Sequence, residues 1–133
     1  MRADSDAGRQ NNMKRHINLK LYGIPNCTTV KKARAWLADH ALDIPFHDFK
    51  KQGVDTAWLH EVVAQTGWQA LVNTRGTTWR KLSDAEKAAA GDEAGAIALM
   101  LAQPSVIKRP VLERNGQYHL GFAEEQYQAL FGE

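Results

Sequence analysis

The chain predicts an α/β fold in which a β-α-β unit and a β-β-α unit are separated by a helical insertion. Three observations carry this. An alternating apolar run is followed by a turn and an amphipathic helix, an Asn-Gly hairpin precedes a second amphipathic helix, and the segment between them is mostly helical in pattern. At 133 residues the chain fits one domain, long enough for a hydrophobic core without disulfides or a structural metal.

Ile17, Leu19 and Leu21 alternate with Asn18 and Lys20, as a half-buried strand does. Gly23-Ile24-Pro25-Asn26 then reads as a tight turn, with Asn26 as the N-cap of the first helix. From Thr28 onward Val30, Ala33, Leu37 and Ala41 recur at helical spacing, while Lys31, Lys32, Arg34 and Asp39 take the other face. This gives a helix over about 27–40, with Cys27 in its first turn. Ile44 to Phe49, with Pro45 at its edge, reads as a second strand, parallel to the first through a right-handed crossover.

Lys50 to Lys108 holds mostly helical patterns. Asp55 caps a helix carrying Trp58, Leu59, Val62 and Val63, which Gly67 ends. Ser83 and Glu86 form a capping box for a short helix stopping near Gly91. A further helix uses Ile97, Ala98, Met100 and Leu101, and Pro104 bars its extension. Trp58, Trp68 and Trp79 fit core or inter-helix packing.

Val111 to Arg114 and Gln117 to Leu120 flank Asn115-Gly116, whose residues suit the positive φ angles of a type I′ turn. A last amphipathic helix puts Ala123, Tyr127, Leu130 and Phe131 on one face, with Glu124-Glu125 complementing its first turn. The order β-α-β, then β-β-α, describes a thioredoxin-like sheet with a helical subdomain over about residues 50–108. Residues 1–16 are polar and charged and are expected to form a flexible tail without a site, so the folded domain spans 17–133. Met13 offers an alternative start.

A formal charge of +2, from 17 basic and 15 acidic residues, is too balanced to signal nucleic-acid or membrane binding. One cysteine excludes an internal disulfide framework and a Cys-based zinc site, and it suits a reducing compartment. His16, His40, His47, His60 and His119 show no ligand spacing, so no metal is expected. With no apolar run long enough for a signal sequence or a membrane span, the expected location is the cytoplasm.

The chemistry is expected at Cys27. A thiol at a helix start meets unpaired backbone N–H groups and the positive end of the dipole, which favour thiolate and lower the pKa. Thr28 and Thr29 add hydroxyl donors, whereas Lys31 and Lys32 read as solvated. The third position after Cys27 is Val30, so there is no C-x-x-C motif, and a disulfide formed on Cys27 needs an outside thiol to resolve it. Glutathione is the obvious candidate. Basic residues form a second constellation: Arg75 in Asn73-Thr74-Arg75-Gly76, Arg80-Lys81, and Lys108-Arg109 before Pro110. Arg80 and Lys81 read as a solvated pair. An arginine fork can hold an oxyanion or carboxylate in two-point contact. Pro110, at the start of the third strand, is expected to be cis and to face the cysteine, which places Arg109 beside the thiolate.

Leu21-Tyr22-Gly23-Ile24-Pro25-Asn26-Cys27, the run Lys32 to Leu37, Asn73-Thr74-Arg75-Gly76, Arg109-Pro110 and Gly121-Phe122 together resemble the arsenate reductase (ArsC)/Spx family, above all its YffB-like subgroup. The resemblance covers nearly all of Ile17 to Phe131. It implies a glutathione-dependent thiol reductase with Cys27 as nucleophile and with Asn26, Thr28, Arg75, Arg109 and Pro110 around the substrate or glutathione. No cofactor is bound in this reading; glutathione is a co-substrate and glutaredoxin a further partner. Arg75 matches the Spx-type Thr-Arg motif, while the arginine of classical arsenate reductases falls near Asn73. Those reductases also carry a histidine where this chain has Gly23, and a third oxyanion-binding arginine that corresponds to the region of Gly121. The same resemblance supports two rival readings. One is an Spx-like regulator that binds RNA polymerase, from which Val30 removes the usual C-x-x-C switch. The other is a glutathione- and glutaredoxin-dependent arsenate reductase.

Overall fold

Strand β1 (Lys20–Gly23) lies inside a four-stranded sheet of order β2-β1-β3-β4, in a computed structural model that describes residues 19–132. It pairs in parallel with β2 (Phe46–Asp48) and antiparallel with β3 (Val111–Arg114), which pairs antiparallel with β4 (Gln117–Leu120). Helix α1 (Thr28–Asp39) joins β1 to β2, and α8 (Glu124–Phe131) follows the hairpin. This is the thioredoxin-like arrangement expected. The predicted tail, together with Ile17 and Asn18, lies outside the described residues.

Between β2 and β3 run α2 (Phe49–Gln52), α3 (Thr56–Thr66), α4 (Trp68–Leu71), α5 (Thr77–Arg80), α6 (Asp84–Ala89), α7 (Glu93–Ala102) and a single 3₁₀ turn, Pro104–Val106. The predicted caps are present: Asp55 accepts from the Trp58 N–H at 2.9 Å, and Ser83 and Glu86 form the reciprocal capping box. Gly67 closes α3 with φ +87°, a conformation that a β-carbon would strain. Asn115 and Gly116 both have positive φ, as the tight hairpin requires.

Three expectations are corrected. The second strand is shorter than Ile44–Phe49, because Asp48 caps a new helix by accepting from the Lys50 N–H and thereby turns Phe49 out of the ladder. Strand β1 is buried on both faces, not half-buried. The short helices α4 and α5 were not expected, since four residues leave no periodicity to read.

The double burial of β1 results from a core on each side of the sheet. Leu21 and Leu112 face Ala33, Trp36 and Leu37 of α1 and Tyr127 of α8. Tyr22 and Val111 face the insertion, where they meet Leu59, Val62, Leu71 and Met100. Successive strand residues point to opposite faces, so each strand holds both layers at once. Trp58, Trp68 and Trp79 pack against the second core, as predicted. The Trp58 ring lies 4.4 Å from that of Tyr22, whose hydroxyl donates to Glu113 at 2.8 Å. These contacts fix the insertion to the sheet that carries the cysteine.

Candidate active site

Cys27 stands where β1 has ended and α1 begins, and the geometry differs in one respect from the prediction. Cys27 itself, not Asn26, is the N-cap, with φ −85° and ψ 129°. Its N–H donates to the Ile24 carbonyl at 3.2 Å, and its own carbonyl accepts from Lys31 at 2.9 Å, so the helical ladder starts at the cysteine. Asn26 lies one residue too early to cap and stays exposed in the turn with Pro25. The N-cap is the position whose side chain can reach the N–H groups two and three residues on.

Cys27 is half-buried. Burial is the largest single influence on its thiol and pushes its pKa up, but the opposing influences outweigh it. The Val30 N–H, Arg109 as hydrogen-bond donor and as positive charge, and the Thr29 N–H together hold the thiol below its ordinary value. The side chain makes no cap hydrogen bond to the helix. The threonine hydroxyls expected to help do not enter; the backbone of Thr29 does, and Thr28 is exposed at the first helical position. Lys31 and Lys32 are exposed, as expected for solvated lysines.

Arg109 is half-buried, and its position is fixed by backbone. Its Nη1 donates to the carbonyls of Ser105, at 2.5 Å, and Ile107, at 3.1 Å. The Arg109–Pro110 peptide is cis, as predicted, and Pro110 is buried. The Nε atom is a buried donor with no acceptor among the described residues. Leaving such a donor unpaired costs about 1–3 kcal/mol, and more when the group is charged.

Arg75 is exposed on the loop between α4 and α5 and is not among the groups acting on Cys27. Two departures noted in the sequence are built into the backbone. A β-carbon on Gly23 would lie 2.8 Å from Val30 Cγ2, and Val30 is wholly buried, so a histidine there would collide with the core at the base of the site. Gly121 has φ +76°, and a β-carbon on it would stand 3.3 Å from Lys108 Cε, so an arginine there would be strained and crowded. Sequence reasoning missed the Ser105 and Ile107 carbonyls that anchor Arg109, because nothing in a residue's type reports where its carbonyl points.

The ArsC family profile matches residues 22–130, the span that holds Cys27, the insertion and the cis-proline. The chain belongs to the ArsC family. It is similar to a solved structure called YFFB (PA3664), with 52% identity, a TM-score of 0.79, and coverage of 84% of this chain and 96% of that one. It is also similar to an arsenate reductase (ArsC) related protein from Brucella melitensis, at 49% identity, TM-score 0.70, covering 86% and 95%. A global transcriptional regulator Spx from Streptococcus pyogenes is 30% identical over 83% of this chain and 82% of its own length. Among the described residues no helix is long and apolar enough to cross a membrane, and no cluster of three or more His, Cys, Asp or Glu side chains could hold a metal ion.

Proposed function

We propose that this ArsC-family chain is a thiol reductase that works with one cysteine and takes glutathione as its external thiol. The observation that carries the reading is the half-buried Cys27 thiol held below its ordinary pKa by Val30, Arg109 and Thr29 in a chain with no second cysteine. In a substrate mixed disulfide with glutathione, the Cys27 thiolate attacks the glutathione sulfur. The substrate sulfur leaves as thiolate and takes a proton from solvent. A second glutathione thiolate then attacks the glutathione sulfur bonded to Cys27, which releases oxidised glutathione and restores the Cys27 thiolate. Arg109 acts as donor and charge toward the ionised sulfur. Asn26 and Thr28, exposed on either side of the cysteine, and the buried Pro110 complete the surface a substrate would meet. No cofactor is needed, and glutaredoxin is a suitable partner for the final exchange.

Incubation with oxidised glutathione and then intact-mass measurement tests this. One adduct at Cys27, released by added thiol, supports the proposal; an unmodified protein under conditions that modify free cysteine overturns it. The similarity to Spx favours a second reading, a regulator that binds RNA polymerase. Stoichiometric polymerase subunits in a pull-down, with no reductase turnover, would select it. Arsenate reduction is less supported, since a side chain at Gly23 would collide with Val30 and one at Gly121 would be strained by its positive φ.

A further inference from the structure

Strands β2 and β4 form the two edges of the sheet, and a glutamine side chain meets the backbone of each. At the β4 edge the Gly121 N–H donates to the Pro110 carbonyl at 2.8 Å and so points toward β3. Backbone polar groups alternate in direction along a strand, so those of His119 point the same way and those of Tyr118 and Leu120 face outward, where no fifth strand pairs with them. Gln65 of α3 stands in that place. Its Oε1 accepts from the Tyr118 N–H at 3.2 Å, and its Nε2 donates to the Gly116 carbonyl at 2.7 Å. From α8, Gln126 Nε2 donates to the Leu120 carbonyl at 3.4 Å. At the opposite edge the outward Asp48 N–H of β2 donates to Oε1 of Gln52 at 3.0 Å.

A primary amide carries a donor and an acceptor, as a peptide group does, so each glutamine supplies part of what a further strand would supply. Gln65 is exposed, and an exposed helical glutamine is free to face water; this one directs both halves of its amide to a strand edge more than 50 residues away in sequence. Unpaired strand edges are templates for pairing with another chain, and proteins commonly cover them. We propose that Gln65, assisted by Gln126, is a plug that closes β4 against β4 of a second copy of this chain. A second copy is the partner excluded because antiparallel pairing of β4 with itself about a two-fold axis brings the outward N–H groups of each copy to the outward carbonyls of the other. The β2 edge is the poorer template, with three residues against four in β4. This role does not depend on the chemistry of Cys27.

The test compares wild type with Gln65→Leu, which removes both amide groups but keeps a good helix former, by sedimentation velocity over a wide range of concentration. Reducing conditions keep Cys27 from linking two chains. Wild type is expected to be monomeric, and Gln65→Leu to dimerise at a concentration about tenfold or more below any at which wild type does, the effect of roughly one net hydrogen bond. Amide exchange at Tyr118 should be faster than in wild type when the variant is dilute, and slow again as the dimer forms. Gln126→Leu leaves α3 untouched and should act in the same direction more weakly, which decides the matter if the Gln65 variant does not fold. Folded variants as monomeric as wild type, a wild type that already dimerises through β4, or a variant dimer that leaves the Tyr118 and Leu120 amides unprotected would each overturn the proposal.

Discussion

The N-terminus of α1 and those of the other longer helices are treated in opposite ways. Helix α3 is capped by Asp55, α7 by Asp92 with Glu93 in its first turn, and α8 carries Glu124 and Glu125. Even the six-residue α6 has a capping box and two acidic residues. Helix α1 has neither a side-chain cap hydrogen bond nor an acidic residue in its first turn. An oxygen cap contributes about 0.5–2 kcal/mol, and a carboxylate near the dipole about 0.3–1 kcal/mol. At α1 that stabilisation is forgone, and the free N–H groups of Thr29 and Val30 are left to favour a thiolate instead. Among the described helices of six residues or more, the starts other than that of α1 are met by carboxylate or hydroxyl oxygen. The one that carries the reactive sulfur is not.

Replacing the sulfur by an oxygen cap breaks the comparison most sharply. Cys27→Asp is expected to abolish disulfide exchange and to raise unfolding stability by about 1 kcal/mol, read from the denaturant midpoint. A variant that is inactive and also less stable would mean that the donors at α1 are out of reach of a cap. The next effect in size comes from Arg109→Gln. It removes a donor charge from Cys27, so the pH midpoint of iodoacetamide reactivity should move upward and alkylation at neutral pH should slow several-fold. An unchanged midpoint would leave the backbone N–H groups as the whole cause of the lowered value.

On the other side of the comparison, Asp55→Ala should cost about 1 kcal/mol of stability while leaving the iodoacetamide profile of Cys27 where it was. A shifted profile would show that the caps of the insertion and the cysteine are coupled through the sheet. The smallest effect concerns His119. Burial, and then the charge of Arg114, hold its pKa below the ordinary 6.5, and its Nε2 is buried without a partner among the described residues. Because the unfolded chain takes up this proton more readily, there is no penalty above about pH 6.5, and stability falls as pH drops through and below that value. Urea midpoints at pH 7.5 and 5.5 should therefore differ more for wild type than for His119→Gln.

Local patterns reported most of this arrangement in advance. Apolar spacing placed α1, α3 and α8. Asp55, Ser83 and Gly67 marked their helix ends, and Asn115-Gly116 set the hairpin, because caps and turns depend on the chemistry of a few adjacent residues. The position of the cysteine at a helix start was equally legible, to within the one residue that separates Asn26 from Cys27. What the chain by itself determined was thus the order of elements and the identity of the nucleophile. Tertiary structure decided that β1 is covered on both faces, that Ser105 and Ile107 aim the Arg109 fork, and that Arg75 is not among the groups acting on the sulfur. Those outcomes depend on where carbonyls point and which distant segments pair, and periodicity along a chain carries neither kind of information.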